Sequence, residues 1–156
     1  MKPAANKMIL VIPYGNPLRG DDAVGWRVAE KLNSKDLDEN CRISPVHQLT
    51  PEIAEEISHS HAAIFVDASA EGKPGNIDCR ELEPSDETDA FTYHSLTPSR
   101  LLALSDNLYG QQPKAAYLVT LTGENFSFGD DLSSTCAGEL PKFTQKVRKL
   151  IVKHKA

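Results

Sequence analysis

Met8-Ile9-Leu10-Val11-Ile12-Pro13 is an unbroken apolar run, and the stretch behind it, Tyr14-Gly15-Asn16-Pro17-Leu18-Arg19-Gly20-Asp21-Asp22-Ala23-Val24-Gly25, turns at once to turn formers and acids. A continuous run with no polar alternation predicts a strand covered on both faces, as in a parallel sheet. Beyond the turn, Val24, Val28, Ala29 and Leu32 fall at helical spacing. Asp21 stands where it can cap the first turn, and Asp22 lies well against the helix dipole. Strand, short turn and helix in that order open an α/β domain.

Working outward, the alternation continues. A second strand is expected near Arg42 to Gln48, and Thr50-Pro51-Glu52 reads as cap, first-turn proline and early acid of a helix that turns Ile53, Ala54 and Ile57 inward. Ala62-Ala63-Ile64-Phe65-Val66 is the third and central strand, ending at Asp67, and Asn76 to Leu82 is a shorter edge strand. Glu83 to Asp89, with four acids beside Pro84 and Ser85, reads as a solvated loop. Thr97-Pro98 repeats the cap-and-proline signal for a helix through Leu101, Leu102, Leu104 and Leu108 to Gly110, and Ala115 to Leu121 is the last strand. From about Cys136 to His154, Leu140, Phe143, Val147, Leu150 and Ile151 make one face of a closing helix, kinked or begun at Pro141. The expected fold is three-layer α/β/α, one domain over residues 1–156, with a mostly parallel twisted sheet of about five strands and right-handed crossovers.

Composition narrows the function classes. The 156 residues carry 17 Lys plus Arg against 22 Asp plus Glu, a formal charge of −5 with no dense basic patch, so nucleic acid is not the expected partner. No apolar run approaches the ~18–20 residues that span a bilayer, and Met1 to Lys7 leads into only a short apolar stretch. Neither membrane nor secretion is expected, and the cytoplasm is the expected compartment. Cys41, Cys79 and Cys136 are odd in number and far apart. They suggest small hydrophobes in a reducing environment, with neither a disulfide framework nor a C-x-x-C metal site.

In an open α/β sheet the ligand site lies outside the carboxyl ends of the strands. Three polar residues fall there: Asp22 after the first strand, Asp67 at the end of the third, and His94 just ahead of a helix. Two carboxylates and an imidazole form an O,O,N donor set with open positions, which suits Zn or Ni. Each also has a plainer role: Asp22 as a first-turn helix acid, Asp67 as a turn former, His94 as a helix-flanking polar residue. Spacing alone favours those roles. His47, His59, His61 and His154 are expected in solvent or packing. Gly15, Gly20 and Gly25 do not fit G-x-G-x-x-G, and Asp21 and Asp22 would repel a pyrophosphate. There is no G-x-x-x-x-G-K-[ST], H-E-x-x-H or G-x-S-x-G.

The block from Gly15 to Gly25 resembles the G-N-x-L-x-x-D-[DE]-x-x-G signature of the hydrogenase maturation proteases, which finish the large subunit of nickel–iron hydrogenases. Ile64-Phe65-Val66-Asp67-Ala68 is similar to that family's second block, and Tyr93-His94-Ser95-Leu96 with Leu101-Leu102 to its third. Order and separations agree, and the resemblance covers nearly the whole chain, weakening after about Thr122. It implies that Asp22, Asp67 and His94 bind a metal. The first ligand is often Glu in the family, one methylene longer than Asp22. The resemblance further implies an endopeptidase with no catalytic metal of its own. Its triad engages nickel already inserted in the precursor, and cleavage removes a C-terminal extension; Zn or Cd can occupy the same site. A monomer is the default, and the precursor is the implied partner. Asp21 is expected as helix cap first and as an acid supporting the site second. Gly15, Gly20 and Gly25 let the turn bring a peptide close to Asp22, a role that ordinary turn geometry explains equally well. An exposed sheet edge, or the loop from Glu83 to Tyr93, is the expected cradle for the extended tail. A rival reading keeps the scaffold but makes the protein a non-catalytic chaperone that binds nickel or precursor.

Overall fold

The computed structural model describes residues 7–86 and 96–155. Its strands are β1 (Ile9–Pro13), β2 (Cys41–Ile43), β3 (Ala62–Ser69), β4 (Ile77–Glu81) and β5 (Ala115–Thr122), and its helices α1 (Val24–Lys31), α2 (Ile53–Ser58), α3 (Pro98–Tyr109) and α4 (Ser134–Lys155). They build one five-stranded sheet in the order β2-β1-β3-β5-β4, parallel except for the antiparallel edge strand β4.

The two apolar runs are the buried centre of this sheet. Ile9 to Ile12 and Ala62 to Val66 are all within 1% of full burial. Because side chains alternate along a strand, each run feeds both faces. Ile9, Val11, Ile64 and Val66 pack with Val24 and Val28 of α1 and with Phe143, Val147 and Ile151 of α4. Leu10, Ile12, Ala63 and Phe65 pack with Ile53 and Ile57 of α2 and with Leu101 and Leu102 of α3. Two helices cover each face, which is the three-layer arrangement expected from the order of elements.

Local signals set most boundaries. Thr97 caps α3, its side chain accepting from the Arg100 N–H at 3.1 Å, Pro98 opens the helix, and Gly110 closes it in the left-handed conformation. Two expectations need correction. The helix expected from Asp21 starts with a 3-10 turn (Gly20–Ala23), and α1 proper begins at Val24, because the Asp21 side chain bonds elsewhere and does not cap it. The regular part of β2 ends at Ile43, well short of Gln48, although the Val46 N–H still donates to the Pro13 carbonyl at 2.9 Å. The closing helix expected from about Cys136 to His154 is α4, and it runs through Pro141 and does not begin there. Among the described residues no helix is long and apolar enough to cross a membrane.

Candidate active site

In the sheet β1 connects through α1 to β2 on one side of it, and β3 connects to β4 and β5 on the other, so the direction of the connections reverses between β1 and β3. Such a switch point leaves a crevice at the carboxyl ends, because the two chains leave in opposite directions. The last paired residues are Pro13 and Val66, with the Tyr14 N–H still donating to the Val66 carbonyl at 3.0 Å. One residue further, Asp67 keeps its partner Thr120 on β5 but has lost β1. A cavity of about 230 Å³ opens there, walled by Tyr14, Gly15, Asp22 and Asp67 and, across from them in sequence, by His47, Gln48, Leu49 and Leu96.

The turn after β1 delivers Asp22 to this cavity. Gly15 has φ +137°, and a Cβ on it would collide with the Asp22 carbonyl oxygen and lie 3.2 Å from its carboxyl carbon. Only glycine lets the chain fold back so closely. The Asn16 N–H donates to Asp22 Oδ2 at 2.6 Å, and the Leu18 N–H donates to Asn16 Oδ1 at 2.9 Å. The carboxylate is therefore oriented by the backbone of its own turn.

Asp67 is the electrostatically strained member of the pair. Burial pushes its carboxyl up to about 7, and the Asp22 charge adds to the rise, while the Ala68 N–H and the Tyr14 hydroxyl that bond it pull the other way. Burial and the same two acids also keep the Tyr14 phenol protonated far above its ordinary range. The ion pairs among the described residues are Arg42–Glu56, Arg148–Asp36 and Lys155–Asp38, so neither cavity acid has a basic partner. Two carboxylates that repel each other in a partly dry cavity are an environment that a cation relieves. Among the described residues no three His, Cys, Asp or Glu side chains group closely enough to hold a metal ion. His94 lies outside the described residues, as does most of the segment that leads to it. Leu96, two residues after His94 in the chain, is on the cavity wall.

Asp21, beside Asp22 in sequence, points away from capping. It is fully buried, and its carboxylate accepts N–H bonds from Glu124 (2.8 Å), Asn125 (3.0 Å) and Ser133 (2.8 Å). Burial alone would raise this group, but the Asn125, Glu124 and Ser133 bonds outweigh it and hold the carboxyl below the usual range. Asp21 thus clamps the 123–133 loop to the site turn. The expectation of a helix cap is corrected.

Of the other histidines, three sit at the amino end of the sheet. His154 Nε2 meets the Tyr117 hydroxyl at 2.7 Å, the His61 ring lies 6.0 Å from that of His154, and His59 faces Gln111. They pack, as expected. His47 is exposed and packs its ring edge-on to Trp26 at 5.4 Å, within that expectation, but it also walls the acid cavity. The signal that could have found it is its position just behind a strand that exits at the same rim. Cys41 and Cys136 are buried and their thiols are pushed up to about 11 by that burial, so neither is a ready nucleophile.

This architecture is known. Over 94% of this chain and 93% of the other, the structure superposes on the hydrogenase maturating endopeptidase HybD from E. coli with a TM-score of 0.75 at 22% identity. The [NiFe] hydrogenase maturation protease HycI from Thermococcus kodakarensis KOD1 matches with a TM-score of 0.72 at 18% identity, covering 95% of this chain and 94% of its own. The hydrogenase 2 maturation peptidase from a Thaumarchaeota archaeon matches at 0.63 and 24% identity, over 94% and 96%. The chain has the fold of the hydrogenase maturation proteases. No family model and no curated protein matches the sequence.

Proposed function

We propose that the protein is an endopeptidase that removes the C-terminal extension from the nickel-loaded precursor of a nickel–iron hydrogenase large subunit, acting as a monomer in the cytoplasm. The observation that carries this reading is the acid pair. Asp22 and Asp67 wall one cavity at the switch point, the Asp22 charge adds to the cost of ionising Asp67, and neither has a basic partner among the described residues. The fold shared with proteins named as maturation endopeptidases gives that pair its context.

In this reading the nickel belongs to the substrate. Asp22 and Asp67 supply carboxylate oxygens to it, and His94 supplies the nitrogen that completes an O,O,N set; Zn or Cd can stand in. A cation so held polarises a scissile carbonyl and acidifies a bound water, so the enzyme needs neither a serine nor a cysteine nucleophile. The chain's own contribution is orientation. Gly15 permits the close approach of Asp22, the Asn16 N–H fixes its carboxylate, and the Tyr14 hydroxyl fixes Asp67.

The rival reading is a chaperone that binds the nickel-bearing precursor without cutting it. Turnover separates the two. A protein present at about one-hundredth of the precursor should convert all of it to the shortened form. A chaperone leaves the mass of the precursor unchanged and saturates at a stoichiometric complex.

A further inference from the structure

The acids of the site accept hydrogen bonds and hold a cation, but peptide hydrolysis also needs a proton for the departing nitrogen. We propose that the imidazole of His47 donates it. This rests on the endopeptidase reading above and adds a catalytic residue to it.

Three observations place His47 for this role. It walls the same cavity as Asp22 and Asp67. Its backbone is fixed at the rim: Val46, immediately before it, bridges to Tyr14, with the Val46 N–H bonded to Pro13 O at 2.9 Å and the Gly15 N–H bonded to Val46 O at 3.3 Å. Its ring rests edge-on against Trp26, and the Trp26 indole N–H donates to Gly15 O at 2.8 Å, so the aromatic support of His47 is tied to the turn that shapes Asp22.

With the cation bound, the remaining walls are engaged or carry no proton to give at neutral pH. Asp22 and Asp67 are assigned to the cation, and the Tyr14 hydroxyl is spent on Asp67. Gln48 and Leu49 have no acidic proton. Imidazole exchanges protons in this range and is the commonest general acid. The step balances without a further reagent. Water oxygen bonds to the carbonyl carbon, the C–N bond breaks with its electron pair staying on nitrogen, and His47 delivers a proton to that nitrogen. The proton lost by the attacking water restores His47, and the second leaves as the new carboxylate ionises.

The test uses nickel-loaded precursor with wild-type protein, His47→Ala and His47→Gln. Because His47 is exposed, both variants should unfold at the wild-type temperature. Both should lose about 100-fold in kcat while KM and precursor affinity stay put. Added imidazole should restore cleavage by His47→Ala, with the rate following the acidity of substituted imidazoles. Wild-type rates in both variants overturn the proposal. So does a loss confined to precursor affinity that imidazole does not rescue, since that marks a binding group. Failure of the wild-type protein itself to cut the loaded precursor overturns the endopeptidase reading, and this proton donor with it.

Discussion

Asp67 is a carboxylate placed where it is costly to ionise. Its folded-state pKa of about 7 against an ordinary 3.8 means that the folded protein holds a proton the unfolded chain has already released. Stability therefore falls as pH rises from about 4 to about 7 and is flat beyond. Asp67→Asn removes that cost while keeping an acceptor for Tyr14. Urea unfolding should show the variant more stable than wild type by about 1–3 kcal/mol at pH 8, with the difference gone near pH 4. The same variant, and Asp22→Ala, should lose precursor cleavage by at least about 100-fold, measured by mass, with the fold intact. Equal stability at pH 8 would show that the carboxyl is not strained. At this scale the acid pair was legible from a general rule about where strands end. His47 was not, because a strand read as far as Gln48 places it in the sheet. In the structure β2 is regular only to Ile43, and the chain bends to bring Val46 alongside Tyr14.

Among the elements, the site turn and the 123–133 loop are one unit. Besides the three bonds to the Asp21 carboxylate, the Asp21 N–H donates to Asn125 O at 2.8 Å and the Gly20 N–H to Gly129 O at 2.9 Å. Asp21→Ala strands three N–H groups and should lower stability by about 2–4 kcal/mol, read as a drop in midpoint temperature. Because the turn then loosens, cleavage should fall as well. An unchanged melting curve would show that the clamp is dispensable. Sequence could not separate cap from clamp, since both uses ask for an aspartate at a helix start and the deciding partners lie more than 100 residues away. α4 makes a second element-scale case. Pro141 is exposed and interior to the helix, so it withholds the N–H that would meet the Ala137 carbonyl. Pro141→Ala should raise stability by about 1–3 kcal/mol in chemical unfolding. The apolar stripe predicted the helix, but a single proline gave no means of choosing between a kink and a start. Leu140, on one side of the proline, and Phe143 and Val147, on the other, all pack in the core, and the helix does not begin at Pro141.

For the molecule as a whole, two short apolar runs, each ended by turn formers or an acid and alternating with helical patterns, announced a parallel sheet, because a strand buried on both faces is uniformly apolar. The order β2-β1-β3-β5-β4 places the cavity. β1 and β3 part beyond Pro13 and Val66, and Asp22 and Asp67 meet in the gap. That convergence turns two acids, 45 positions apart in the chain by their numbers, into one candidate centre. The expected tail-binding loop from Glu83 to Tyr93 lies partly outside the described residues, and for the other expected cradle, an exposed sheet edge, the sheet has β2 at one end and the antiparallel β4 at the other. The most direct test of the central claim is the intact mass of a hydrogenase large-subunit precursor, nickel-loaded and nickel-free, after incubation with a catalytic amount of this protein. Loss of a short C-terminal peptide from the loaded precursor alone is the predicted result. An unchanged mass for loaded precursor, or equal cleavage of the nickel-free form, would contradict it.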